Sequence, residues 1–117
     1  MKKDVRLYID DIRESVKLIS EYAIGITLAD LNNNTMLQDS IVRRLIIIGE
    51  AVKKVPDDVR LMEPNIPWRR IAGTRDVLVH DYDAVKPDQI MEILSADIPI
   101  LARYIEAFGE RLEKIDL

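Results

Sequence analysis

Apolar residues recur at steps of three and four along almost the whole chain, and no stretch alternates apolar with polar residues as a half-buried strand would. That periodicity predicts an all-α fold. Val5, Tyr8, Ile9, Ile12, Val16, Ile19, Ala23 and Ile26 form one face of a first helix about 24 residues long, with Gly25 and Thr27 near its end. Asp10, Asp11, Arg13, Glu14 and Lys17 fall mostly on its wet side. The cluster Asn32-Asn33-Asn34-Thr35 reads as turn and cap, because short polar side chains accept from free amides at a helix start. A second helix over 36–55 carries Leu37, Ile41, Leu45, Ile48, Val52 and Val55, with Val42 and Ile46 widening the stripe, so a central position is expected. Gly49 lies inside it at a cost of about 1 kcal/mol relative to alanine, which predicts the close approach of a neighbouring helix.

Pro56-Asp57-Asp58 begins a short turn or helix ending near Glu63-Pro64, and Pro67 opens a third main helix over 67–81. Trp68, Ile71, Ala72, Leu78 and Val79 supply its buried face, and Gly73 suggests a second tight contact. A last helix from Pro87 repeats Ile90, Leu94, Ile98, Leu101, Tyr104/Ile105, Phe108, Leu112 and Ile115, with Pro99 inside it as an expected kink. Tyr8, Tyr22 and Tyr104 stand at core-type positions. The expectation is a single helical domain over 1–117, an antiparallel four-helix bundle with one short extra helix. An apolar stripe left over by four such helices favours a homodimer.

Composition narrows the chemistry. Of the 117 residues, 48% are apolar, enough for a core, and no apolar run approaches the ~18 residues of a membrane span. Met1-Lys2-Lys3-Asp4 leads straight into a charged periodic segment with no signal region, so a cytoplasmic protein without membrane association is expected. There is no cysteine, which removes disulfides, thiolate metal sites and cysteine nucleophiles, and a lone histidine gives no basis for a metal site within one chain. The net charge of −4 argues against coating nucleic acid by bulk attraction. The window 41–86 nevertheless holds nine Lys and Arg against seven acids, a balance of +2 that leaves −6 for the rest.

The single histidine, His80, stands in Gly73-Thr74-Arg75-Asp76-Val77-Leu78-Val79-His80-Asp81-Tyr82. At about 100° per residue, Arg75 and Tyr82 share a helix face to within about 20°, whereas Arg75 and His80 diverge by about 140°. Those two converge through the length of arginine, through a loosened helix end near Asp81, or through a second chain. Metal-independent RNA cleavage asks for a base to take the 2′-hydroxyl proton, an acid for the leaving 5′-oxygen, and a cation for the phosphate. Histidine serves either proton role near neutral pH, and a guanidinium holds phosphate. Two paired copies would bring two imidazoles and two guanidiniums into one cleft. The same residues also suit a histidine interacting with its helix dipole and an ordinary surface cation.

The segment Arg75-x4-His80-x-Tyr82 resembles the R-x4-H-x-Y pattern of the HepT-like toxins, a branch of the HEPN ribonucleases. Ile48-Gly49-Glu50-Ala51 is similar to that family's IGEA stretch, and Ile66-Pro67-Trp68 with Ile71-Ala72-Gly73 to its lead into the motif. The resemblance implies a HEPN-like homodimer in which Arg75 and His80 are the ribonuclease pair, facing their copies across a two-fold axis. Asp76, where asparagine is commoner in the family, would be an orienting residue, and its added charge beside Arg75 departs from the pattern. Tyr82 would accept AMP from an MntA-like nucleotidyltransferase antitoxin, which would spend the ATP, this chain needing no cofactor of its own. Arg69 and Arg70 are candidates to guide RNA, though equally ordinary surface cations, as are Arg43 and Arg44. Glu50 is a candidate partner for Arg75, and Trp68 suits a core position better than base stacking. The implied function is an endoribonuclease toxin of a toxin–antitoxin module. The alternative is a non-catalytic helical adaptor for a nucleotidyltransferase or a nucleotide.

Overall fold

The computed structural model of the chain describes residues 4–81 and 85–115. Its helices are α1 (Val5–Tyr22), α2 (Leu28–Asn32), α3 (Thr35–Lys54), α4 (Asp57–Arg60), α5 (Trp68–His80) and α6 (Pro87–Glu113), with no strand among the described residues. Four long helices form the expected bundle. α3 packs between α1 and α5, and α6 lies against α1. Ile12, Ile41, Val52, Leu101, Phe108 and Leu112, each fully buried, form the core of α1, α3 and α6, and Trp68, Ile71 and Leu78 bring α5 into it.

The first helix is shorter than its apolar spacing predicts. It ends at Tyr22, and Gly25 adopts a φ of 65°, the left-handed conformation that glycine enters without a Cβ penalty. The chain restarts at Thr27, whose side chain accepts from the Asp30 amide while Asp30 reaches back to the Thr27 amide. This capping box stabilises α2, a second short helix that periodicity alone hides. Asn34, within the expected cap cluster, accepts from the Leu37 amide at 3.0 Å and starts α3.

The turn between α3 and α5 is bonded tightly. The Arg60 guanidinium donates to the Val52 and Val55 carbonyls at 2.7 and 2.9 Å, satisfying acceptors left free at the end of α3. Trp68 donates from its indole nitrogen to the Arg60 and Glu63 carbonyls, and its ring meets Phe108 edge-on at 5.9 Å. Trp68 is thus a core residue. These bonds fix where α5 crosses α3.

Two expectations on α5 need correction. An alanine methyl at Gly73 would meet no atom within 4 Å, so Gly73 marks open surface and not tight packing. Val79 is 40% exposed and Val77 51%, because α5 packs chiefly against α3 and its other flanks face outward. Tyr22, at the end of α1, is likewise exposed. α6 continues through Pro99, which is exposed together with Ser95, so the carbonyl that loses its amide partner there lies at the wet face. No described helix is long and apolar enough to cross a membrane.

Candidate active site

Arg75 sits where α5 crosses α3, and Gly49 makes the crossing possible. A methyl at Gly49 would stand 2.1 Å from the Arg75 Cβ and 3.3 Å from its Cα, so the two helices touch almost backbone to backbone. The close approach predicted at Gly49 is real, and the residue it accommodates is Arg75.

Around that crossing four charges gather. Arg75 Nη1 donates to Asp76 Oδ1 at 3.2 Å, and Arg75 Nη2 lies 3.5 Å from Glu50 Oε1 on α3. Lys53, one turn after Gly49, donates to the same Asp76 oxygen at 2.7 Å. The Asp76 carboxyl is held below its ordinary range, first by Lys53 and then by Arg75. The Arg75 Nε is buried with no hydrogen-bond partner among the described residues. Three of the four residues were visible as candidates in the sequence. Lys53 was not, and its only signal is its place four residues after Gly49, on the face of α3 that meets α5.

His80 closes α5 and is exposed. The helix stays regular to its end, since the Asp81 amide donates to the Val77 carbonyl at 2.9 Å, so a loosened terminus does not bring His80 toward Arg75. Asp76 and His80 are four residues apart and share a helix face, and the Arg75 guanidinium bends over to Asp76. Tyr82, the expected modification site, lies outside the described residues.

Arg69 and Arg70 stand at the opposite end of α5, about 15 Å along the axis from His80. Arg69 is exposed. Arg70 turns toward α6, where its Nε meets the buried Asp97 carboxylate at 2.9 Å. Burial pushes the Asp97 carboxyl up, with Arg70 opposing. The structure therefore gathers Arg75, Asp76, Glu50 and Lys53 on the α3 side and does not bring Arg69 or Arg70 to them. Among the described residues no group of three His, Asp or Glu side chains is placed to hold a metal ion.

A family model, Ribonuclease HepT-like, matches residues 12–108. The chain belongs to the HepT-like ribonuclease family. Relatives of this HepT-like chain agree. It is 38% identical over 101 residues to a Thermococcus cleftensis protein named as a probable ribonuclease HepT, covering 86% of this chain and 92% of that one. A Methanocaldococcus jannaschii protein named as a candidate RNase is 32% identical over 105 residues, 90% of this chain and 96% of its own length. Another from the same organism, named as a gamma-glutamylcyclotransferase and candidate RNase, is 40% identical over 114 residues. The chain spans 97% of its own length in that match but only 51% of that relative's. No solved structure matches the chain significantly.

Proposed function

We propose that this HepT-like chain is an endoribonuclease of the HEPN type that works without a metal, as the toxin of a toxin–antitoxin module. The observation that carries the reading is the state of Arg75: pressed onto Gly49 and held at its two terminal nitrogens only by contacts of 3.2 and 3.5 Å, it keeps N–H donors to give a phosphate. His80 stands exposed on the same helix, in a family of ribonucleases.

In this reading two copies pair with the α5 surfaces facing, which would cover Val77 and Val79. One neutral His80 takes the proton of a 2′-hydroxyl, and the freed oxygen attacks the adjacent phosphorus. The bond to the 5′-oxygen breaks, and the protonated His80 of the partner subunit supplies the proton that this oxygen needs. The products are a 2′,3′-cyclic phosphate end and a 5′-hydroxyl end, so protons and charge balance with no added reagent. Arg75 stabilises the charge on the non-bridging oxygens. Tyr82, seven residues after Arg75 in the sequence, would accept AMP from a nucleotidyltransferase antitoxin, and the added bulk and phosphate charge would block RNA beside Arg75.

The test is cleavage of RNA by purified protein in EDTA with analysis of the ends. The wild type yields cyclic phosphate ends, and His80→Ala loses at least about a hundredfold in rate while keeping its helical signal and melting temperature. Cutting by His80→Ala at the wild-type rate removes His80 from the mechanism.

A further inference from the structure

Asp76 is shared by two cations. Lys53 Nζ and Arg75 Nη1 both donate to its Oδ1, at 2.7 and 3.2 Å. The shorter bond goes to Lys53, which is not on α5 at all but reaches across from α3. Among the described residues Arg75 keeps two long contacts, to Asp76 and to Glu50, and a buried Nε with no partner. The four side chains sum to zero charge. Without Lys53 the group becomes net negative, and its strongest remaining pairing is the Asp76 carboxylate with Arg75.

We propose that Lys53 is a positioning residue of this site: by holding the Asp76 carboxylate from α3, it prevents that carboxylate from closing on Arg75 and leaves the guanidinium open to a phosphate. The inference rests on the ribonuclease reading above. Its physical content is a competition. A carboxylate and a phosphate oxygen seek the same planar donors, and a guanidinium that forms a tight two-point pair with one is withdrawn from the other. Lys53 biases that competition by offering the shared Asp76 oxygen a shorter bond from α3. A residue four positions after Gly49 is well placed to do so, because the glycine brings α3 and α5 into contact one turn earlier.

The experiment is a double-mutant cycle on the full chain with Lys53→Met and Asp76→Asn, read as KM and kcat for RNA cleavage at low salt. Lys53→Met raises KM roughly tenfold and moves kcat less than about twofold, as expected for one charge unbalanced beside a phosphate subsite. In the Asp76→Asn background the same change raises KM less than about twofold, because no carboxylate remains to compete. Lys53→Arg restores most of the wild-type KM. Equal rises in both backgrounds would make Lys53 a general cation and overturn the proposal, as would an unchanged KM in Lys53→Met.

A second readout needs no RNA. Rotation of the Arg75 guanidinium, followed by nitrogen-15 NMR, slows in Lys53→Met as Asp76 clamps it and is fast again in Lys53→Met/Asp76→Asn. Unchanged rotation in Lys53→Met overturns the proposal by itself. If no variant or wild type cuts RNA while the NMR cycle shows the coupling, the ribonuclease reading fails and the hold of Lys53 on Asp76 stands. Lys53 is half-exposed on α3, so its replacement leaves the core untouched.

Discussion

Two arginines in this protein lie over glycines at helix crossings, and they are almost equally buried, with side chains 21% and 22% exposed. Arg13 of α1 lies over Gly109 of α6, and Arg75 of α5 over Gly49 of α3. Arg13 is saturated. It grips Glu106 with two parallel bonds of 3.0 and 2.9 Å and adds Glu113 and Asp10 at 3.2 Å each. Its pKa is pushed well above the ordinary value, first by the bonds to Glu106. Among the described residues Arg75 has one hydrogen bond of 3.2 Å to a neighbour, a looser ion pair and an Nε without a partner. Burial is the same in both; completeness of partnering is not. The first arginine fastens the bundle, whereas the second is held in place but not used up.

The largest expected contrast between them is in activity. Arg75→Met lowers the rate of RNA cleavage about a hundred- to a thousandfold, the usual loss on removing a group that stabilises transition-state charge. Arg13→Met, on the other side of the bundle, leaves the rate within about threefold. Equal losses in a steady-state assay would mean that both arginines act only through the fold.

The glycines sharpen the comparison in stability. At Gly49 a methyl meets the Arg75 Cβ and Cα, atoms that move only with the backbone, so Gly49→Ala forces α3 and α5 apart and costs roughly 2–3 kcal/mol. At Gly109 the methyl meets the Cδ, Nη1 and Nε of Arg13 at 2.8–3.0 Å, the far end of a flexible side chain. Gly109→Ala therefore costs less than about 1 kcal/mol, since alanine recovers up to about 1 kcal/mol of helix propensity. Urea unfolding of both variants measures the difference, and a larger loss at Gly109 would reverse the ranking.

The smallest effect is the pH dependence of the Arg13 anchorage. Glu106 is held below its ordinary carboxyl value, chiefly by Arg13. A group with a depressed folded pKa adds stability above its unfolded value and loses it as pH falls through the folded one. The melting temperature of Arg13→Met should thus lie slightly below wild type at pH 7, and the gap should close as Glu106 protonates. Glu106 is largely exposed, so the gap is small. A gap that persists in strong acid would assign the effect of Arg13 to packing of its aliphatic stem.

Sequence periodicity located α3, α5 and α6 to within a residue or two of their ends, because a stripe repeated over several turns has few alternative readings. It overran α1, since Ala23 and Ile26 kept the spacing while Gly25 turned the backbone left-handed. The Thr27-x-x-Asp30 capping box was the local sign of that break. The two interior glycines looked alike and proved opposite: Gly49 is packed against Arg75, whereas Gly73 faces open space. Val79 was placed inside by spacing and stands half outside, because spacing ranks faces and cannot say how many neighbours cover them.

From the order of residues alone came the four long helices, the cap cluster before α3 and the grouping of Arg75, Asp76 and His80 on one short segment, since each depends on contacts within a few residues. Only the tertiary structure decided which of these groups remains available. Hydrogen-bond saturation is settled by side chains arriving from elsewhere in the chain: Glu106 and Glu113 from α6 complete Arg13, and Lys53 from α3 takes hold of Asp76 beside Arg75. Such contacts span 23 residues in one case and 93 or more in the other, beyond the reach of any local pattern.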